Sequence, residues 1–382
     1  GDGGGLTFSV RINVYGLAGE KYVPETTKTI LAANPVQEEK TNMFNYASNG
    51  SFISSFTSSG PTYGNEPSQV TNGLFEAEDE DGTSYYFRGA ITTNNVQFGE
   101  YTSDYYVYNN GYSYYYQNLE SCEEDGNSTC TPVKLASAGD KMYWKIVRVN
   151  GDGSLRLIYN GISATPDNSD LAHSCAIGST LYNSEFNDPK YSGYTYDNGT
   201  DSLFKREVDT WYANTLGKSN YDRMVTSGRF CSDSSGYQDG STFGGGNIFA
   251  SMIRLGQSMT NFASPNAPTL KCPATSESYG GCYRLKAGLI TSDELVLAGE
   301  NYNVEGNSYL SPGKNGNGYG TMTPVMYNTH YSFPNVWYMQ KNLYYSSVST
   351  LNIFIRPIIN VTVDGDFTSG DGSVKSPYVI EG

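Results

Sequence analysis

Redox, nucleophilic or transition-metal chemistry in this chain would have to come from six cysteines, at 122, 130, 175, 231, 272 and 282, and from two histidines, His173 and His330. No Cys-x-x-Cys spacing occurs and the histidines stand far apart, so the pattern does not fit a zinc centre. An even cysteine count reads instead as disulfides formed in an oxidising compartment. Cys122 and Cys130 bracket a short acidic, polar loop and are expected to pair. The remaining Cys175, Cys231, Cys272 and Cys282 allow three connectivities, which sequence alone leaves open. Nucleophilic or acid–base catalysis needs a positioned partner group, and two isolated histidines do not supply one, so both are read as hydrogen-bonded structural residues. A carboxylate pair for glycoside cleavage is defined by its separation in space, and the 39 Asp and Glu leave it open.

Hard-oxygen chemistry has three candidate loops: Glu76 to Asp81, Asn150 to Ser154 and Asp364 to Asp371. Such Asp/Asn/Gly loops supply calcium ligands, but none follows the twelve-residue EF-hand spacing, and Asp-Gly pairs commonly serve as hairpin turns. The expectation is no resident cofactor, with calcium the ion of choice if one binds. Sequons at Asn49, Asn127, Asn198 and Asn360 permit glycosylation.

The elements that would position these groups are mostly strands. Leu6, Phe8, Val10, Ile12 and Val14 alternate with Thr7, Ser9, Arg11, Asn13 and Tyr15, the period of a half-buried β-strand. It follows Gly1 to Gly5, without an initiator methionine, from which a removed leader is expected. Such a strand either opens the chain's own sheet or adds to the sheet of a second copy. Burying its five apolar side chains would contribute roughly 7–15 kcal/mol as an upper bound. Residues 16 to 72 are polar and proline-interrupted, and together with the strand they read as an N-terminal arm, 1–72. Clear hairpin texture begins at Gly73: Tyr85 to Phe87 turn at Arg88-Gly89 into a strand from Ile91 to Phe98. Met142 to Val149 and Leu155 to Tyr159 form a second hairpin around Asn150-Gly151-Asp152-Gly153. Between them, residues 100–140 hold a tyrosine-dense insertion. Helical spacing marks Asp201 to Leu216 behind an Asp201/Ser202 cap, Asn247 to Leu255, and Ser292 to Ala298. Strands follow at 322–327, 336–339, 343–348 and 351–363. The predicted class is therefore mainly β with a few short helices (α+β), arranged as the arm and a β-rich region, 73–382.

Composition narrows the partners. A formal charge of −15 argues against nucleic acid, whose phosphates demand a basic patch. No apolar run reaches the length of about 20 residues that a membrane helix requires. With 34 Tyr and 43 Gly the chain suits sheets, turns and amphipathic surfaces.

The segments YYFRGAIT, VQFG and YWKIVRVNGDGSLRLIYNG (143–161) are similar to a group of uncharacterised secreted or surface proteins of Firmicutes. The likeness continues through VDTWYANTL (208–216), RFCSD (229–233), APTLKCP (267–273) and GLITSDELVLAG (288–299), and on to MTPVMY, FIRPIINV and GDGSVKSPYVI. It covers about residues 73 to 382. The closing part of that group resembles the C-type-lectin-like fold shared with formylglycine-generating enzymes, on Thr323-Pro324 and Arg356-Pro357. The Trp and Ser-Pro of that pattern are absent, as is the calcium-dependent sugar motif of classical lectins. In the group, the RFC and LKCP cysteines pair, which implies Cys231–Cys272 and, for the two left over, Cys175–Cys282. The local alternative is Cys272–Cys282 with Cys175–Cys231.

Two functional expectations result, neither enzymatic. The first is an extracellular structural protein, a subunit of a pilus-like filament or surface layer whose copies join head to tail by exchange of the Leu6–Tyr15 strand. The second is a cell-surface adhesin that binds glycan or protein through the tyrosine insertion and the stretch from Tyr327 to Ser349.

Overall fold

Apolar alternation punctuated by glycine and asparagine turns commits most of this chain to strands. The computed structural model describes residues 22–37, 72–112, 114–124, 129–166, 174–196, 199–234, 249, 251–252, 255, 268–272, 281–300, 308–312, 318–328, 333–350 and 352–382. Over these residues the protein is mainly β with a few short helices. Helix α1 (Glu25–Ala33) precedes strands β1 (Gly73–Asp79), β2 (Gly82–Arg88), β3 (Asn95–Glu100), β4 (Tyr105–Asn109) and β5 (Tyr115–Tyr116). Helix α2 (Leu119–Glu124) leads to β6 (Thr131–Ala136), β7 (Lys141–Val149), β8 (Leu155–Tyr159), β9 (Ser179–Leu181), β10 (Thr195–Tyr196) and β11 (Thr200–Asp201). After α3 (Leu203–Asn214) come β12 (Val225–Thr226), β13 (Gly228–Cys231), β14 (Cys282–Leu285) and β15 (Ala287–Gly288). Helix α4 (Ser292–Leu297) is followed by β16 (Tyr319–Asn328), β17 (Phe333–Met339), β18 (Leu343–Ser347), β19 (Asn352–Phe354), β20 (Ile358–Val361) and β21 (Tyr378–Ile380).

The largest sheet runs β1-β2-β7-β8-β20-β12, with β3 on β7, β21 parallel on β3, and β15 on β20. The β7–β8 hairpin forms as the sequence predicts, its turn closed by an Asn150 N–H bond to Ser154 O and by Gly153 at φ +84°. The expected pairing of the 85–88 run with 91–98 does not form. Strand β2 folds back on β1 through a Glu80-Asp81 turn, and β2 and β3 each pair with part of β7. Nine residues of β7 are long enough to carry both neighbours end to end.

A second sheet is ordered β18-β17-β16-β19-β9. The run Leu351 to Val363, expected as one strand, is split by Arg356-Pro357 into β19 and β20, which belong to different sheets. Pro357 has no N–H for a ladder, so the strand breaks there. Arg356 fastens the junction by donating to Tyr159 O at 3.1–3.2 Å while its guanidinium lies 4.8 Å from the centre of the Tyr319 ring.

The core gathers Trp144 from β7, Tyr159 from β8 and Trp211 from α3, whose ring centroids lie 5.4–6.3 Å apart. Helix α3 presents Phe204, Val208, Trp211 and Tyr212 inward, and Ser202 caps it by accepting from Lys205 N–H. In α4 the cap is Thr291, in a reciprocal box with Glu294. Part of the arm is helix α1, whose Ile30 is fully buried in the same core. The following Val36 bridges to Leu74 at the start of β1.

The structure contains the disulfides Cys122–Cys130 and Cys231–Cys272. The bridge expected between Cys175 and Cys282 is not formed, and both are thiols. Cys175 is buried in the main core, whereas Cys282 lies on β14 directly across the ladder from Cys231.

Candidate functional site

The two strands of the hairpin that the sequence predicts each carry one arginine, and the register sets these two side by side. Arg148 of β7 pairs with Arg156 of β8, inside a row that crosses the large sheet through Phe75, Tyr86, Arg148, Arg156, Asn360 and Thr226. Directly opposed residues share a face, and like charges so placed repel. Glu294, delivered by the first turn of α4, resolves the repulsion. Its carboxylate accepts from Arg148 Nε at 3.1 Å and Arg156 Nη2 at 3.2 Å, pairs with Arg156 Nε, and accepts the Thr291 N–H at 3.0 Å. Arg148 also donates to Asp79 at 2.8 Å, and Arg156 donates to Arg229 O at 3.1 Å and stacks 4.4 Å over Phe230.

All of these groups are buried, so their charges interact strongly. Burial opposes the charged form of Glu294, but the Arg156 and Arg148 charges outweigh it and hold its carboxyl below the usual range. For Arg148 burial is likewise overridden, by Glu294 and Asp79, and its pKa is raised. Arg156 goes the other way: burial, reinforced by Arg148, lowers it despite Glu294.

Around this cluster lies a crevice lined by Glu80, Arg229, Asp233, Asp293, the 269–272 segment and the Cys231–Cys272 bridge. The 269–272 segment is held by Thr269 N–H to Asp293 at 3.0 Å and by Cys272 N–H to Glu80 at 2.6 Å. Its Leu270 covers Phe75, Ala77, Tyr86 and Leu297. The space left in the crevice, about 30 Å³, holds about two waters. Chemically, the ion cluster clamps α4 and the 269–272 segment to the sheet, and the group in the crevice able to exchange bonds is the disulfide.

The sequence-derived sites fall as follows. The strand residues Leu6, Phe8, Val10, Ile12 and Val14 lie outside the described residues, as do His173, His330, Asn49, Asn127 and Asn198. Asn360 is fully buried in β20 and accepts from Asn150 Nδ2 at 2.9 Å, so its amide has no room for a glycan in the folded chain. The proposed calcium loop at Glu76 to Asp81 is instead strand β1 and its turn, with Asp79 engaged by Arg148, Gly151 N–H and Asp81 N–H. Asp152 accepts from Ser154, and Asp366 and Asp371 accept from Thr29 and Ser373. Among the described residues no group of three or more His, Cys, Asp or Glu is placed to hold a metal ion. No described helix is long and apolar enough to cross a membrane.

The tyrosine insertion is a separate three-stranded sheet, β5-β4-β6, closed by Cys122–Cys130. Its tyrosines divide between inward and exposed positions. Tyr105 turns inward and donates to Ile177 O, whereas Tyr106 and Tyr112 are 42% and 69% exposed. In the 327–349 stretch, Trp337 is buried, Tyr338 stacks on Tyr344, and residues 329–332 lie outside the described residues.

The residues that sequence reading missed are Arg148, Arg156 and Glu294. In Met142-Tyr143-Trp144-Lys145-Ile146-Val147-Arg148 simple alternation would put Arg148 on the side of Met142, Trp144 and Ile146, but a register shift between Ile146 and Arg148 turns it to the other face, opposite Arg156, so alternation carried no usable signal. Comparison with models of known protein families, with curated proteins and with solved structures gives no match.

Proposed function

We propose that this chain is an extracellular structural protein, a subunit of a self-assembling filament or surface layer joined by strand exchange. The observation that carries the reading is an edge. Among the described residues, strand β18 is the terminal strand of the five-stranded sheet, and an edge strand offers a row of backbone donors and acceptors to an incoming chain. The Leu6–Tyr15 segment has the alternation that such an edge accepts, and copies linked this way add head to tail. The two disulfides suit a protein that works outside the cell. The C-type-lectin-like likeness of the closing part belongs to the same proposal. It is supported by Thr323-Pro324 lying on β16, whose Tyr319 pairs with Phe354 of β19 just ahead of Arg356-Pro357 and faces the Arg356 guanidinium.

Electron microscopy of the full chain beside a chain lacking residues 1–15 tests the proposal. Filaments from the full chain alone are expected, and dispersed particles in both samples would overturn it. The outward Tyr106 and Tyr112 on a disulfide-closed sheet favour a second reading, an adhesin for glycan or protein. Rigid exposed tyrosines make contact area at low entropic cost. Glycan-array binding that disappears in a Tyr106→Ala/Tyr112→Ala double variant is the expected sign of that activity.

A further inference from the structure

Three of the six cysteines converge on one point of the fold. Cys231 and Cys282 are register partners at the end of the β13–β14 ladder, and Cys231 is bridged to Cys272. The Ser232 N–H bonds to Gly281 O, which makes 232/281 the hydrogen-bonded pair and 231/282 the closer, non-hydrogen-bonded one. Such a pair has Cα atoms about 4.5 Å apart, inside the separations that disulfides span. The third sulfur lies beside the neighbouring residue, Cys272 Sγ being 3.6 Å from the Gly281 carbonyl oxygen. All three cysteines are half-buried, so solvent and small thiols reach them.

We infer that Cys282 is the attacking thiol of an intramolecular thiol–disulfide exchange that moves the bridge of Cys231 from Cys272 to Cys282. The Cys282 thiol loses its proton to water, and the thiolate attacks Cys231 Sγ in line with the Cys231–Cys272 bond. The Cys231–Cys282 bond forms as that bond breaks, and Cys272 leaves as a thiolate that takes a proton from water. One disulfide and one thiol enter and one of each leave, so no oxidant or reductant is consumed.

The surroundings suit the step. Two residues back along the ladder, Arg229 and Arg284 face each other on the same side of the strands as the Cys231–Cys282 pair. Guanidinium groups beside a thiol favour the reactive thiolate. The exchange also has a mechanical consequence. In the observed form the bridge ties the 269–272 segment, with Leu270 over Phe75 and Tyr86, to β13. After exchange the covalent tie is gone, and the segment is held by the hydrogen bonds of Thr269 and Cys272 and by Leu270 packing alone.

The test is peptide mapping of the full-length protein. The chain is incubated at pH 8 with a reduced and oxidised glutathione mixture, quenched with acid, labelled with N-ethylmaleimide and digested without reduction. Two populations are expected, one labelled at Cys282 with Cys231–Cys272 intact and one labelled at Cys272 with Cys231–Cys282 formed. In Cys282→Ser, which retains the observed bridge, labelling of Cys272 is expected to fall at least tenfold. In Cys272→Ser, Cys231 and Cys282 are expected to be recovered as one bridged peptide. Labelling confined to Cys282 in the natural chain overturns the inference, as does a Cys272–Cys282 bridge with Cys231 labelled.

Discussion

At the residue scale the decisive side chain is Glu294. It separates two buried arginines that the β7–β8 register forces together, and each of its oxygens is engaged. Removing one member of a buried ionic cluster leaves the others desolvated without a counter-charge, which costs far more than the cluster contributes net. Glu294→Gln keeps the shape and removes the charge. It is expected to lower unfolding free energy by about 3–5 kcal/mol, measured by guanidinium denaturation. A loss below about 1 kcal/mol would mean that the two arginines find solvent or another carboxylate. Sequence showed neither the face of Arg148, because a register shift after Ile146 breaks the alternation, nor its partner, because Glu294 lies 146 positions away and a contact at that distance leaves no local pattern.

At the element scale, what sequence resolved were features set by neighbours in the chain. The β7–β8 hairpin and α3 with its Ser202 cap come from short-range periodicity and turn chemistry. The mispaired β2 and the broken 351–363 strand come from longer-range competition. In the first, β7 offered its edge to two strands, and in the second Pro357 diverted the chain between sheets. Helix α1 was missed because Thr26, Thr27 and Thr29 lower helix propensity and because its stability comes from docking Ile30. If that docking carries the element, Ile30→Ala should destabilise the whole fold by about 2–4 kcal/mol with a single cooperative transition. A separate early transition confined to residues 22–37 in hydrogen exchange would show that α1 folds apart from the sheet it touches.

At the scale of the whole molecule, the pH profile reports on groups that only the fold perturbs. Burial pushes Glu300 up to about 7, against the opposing Ser308 donors, and pushes Glu207 up to about 7, against Arg206. Between the ordinary value of 4.5 and about 7 the folded chain holds protons that the unfolded chain has released. Stability from these two groups therefore falls as pH rises through that window and levels off above it. Lys145, lowered to about 8 by burial and by Arg356, acts in reverse and restores stability as pH rises from about 8 towards 10.5. Melting temperature is expected to drop from pH 5 to pH 7.5, and Glu300→Gln should flatten that drop. An equally steep profile in the variant would remove Glu300 as a source. The formal charge of −15 adds self-repulsion across the same range, since more carboxylates ionise as pH rises.

Composition and periodicity by themselves determined the β-rich class, the β7–β8 hairpin, the α3 helix and the pairing of Cys122 with Cys130, eight positions apart. Each depends on residues close together in the chain, where spacing is geometry. Tertiary structure alone decided that Arg148 and Arg156 share Glu294, that Asn360 is buried, and that Cys282 stands across from Cys231 rather than bridged to Cys175. Those outcomes follow from which strands became neighbours, and strand neighbourhood is settled by competition for a common core between segments far apart in sequence.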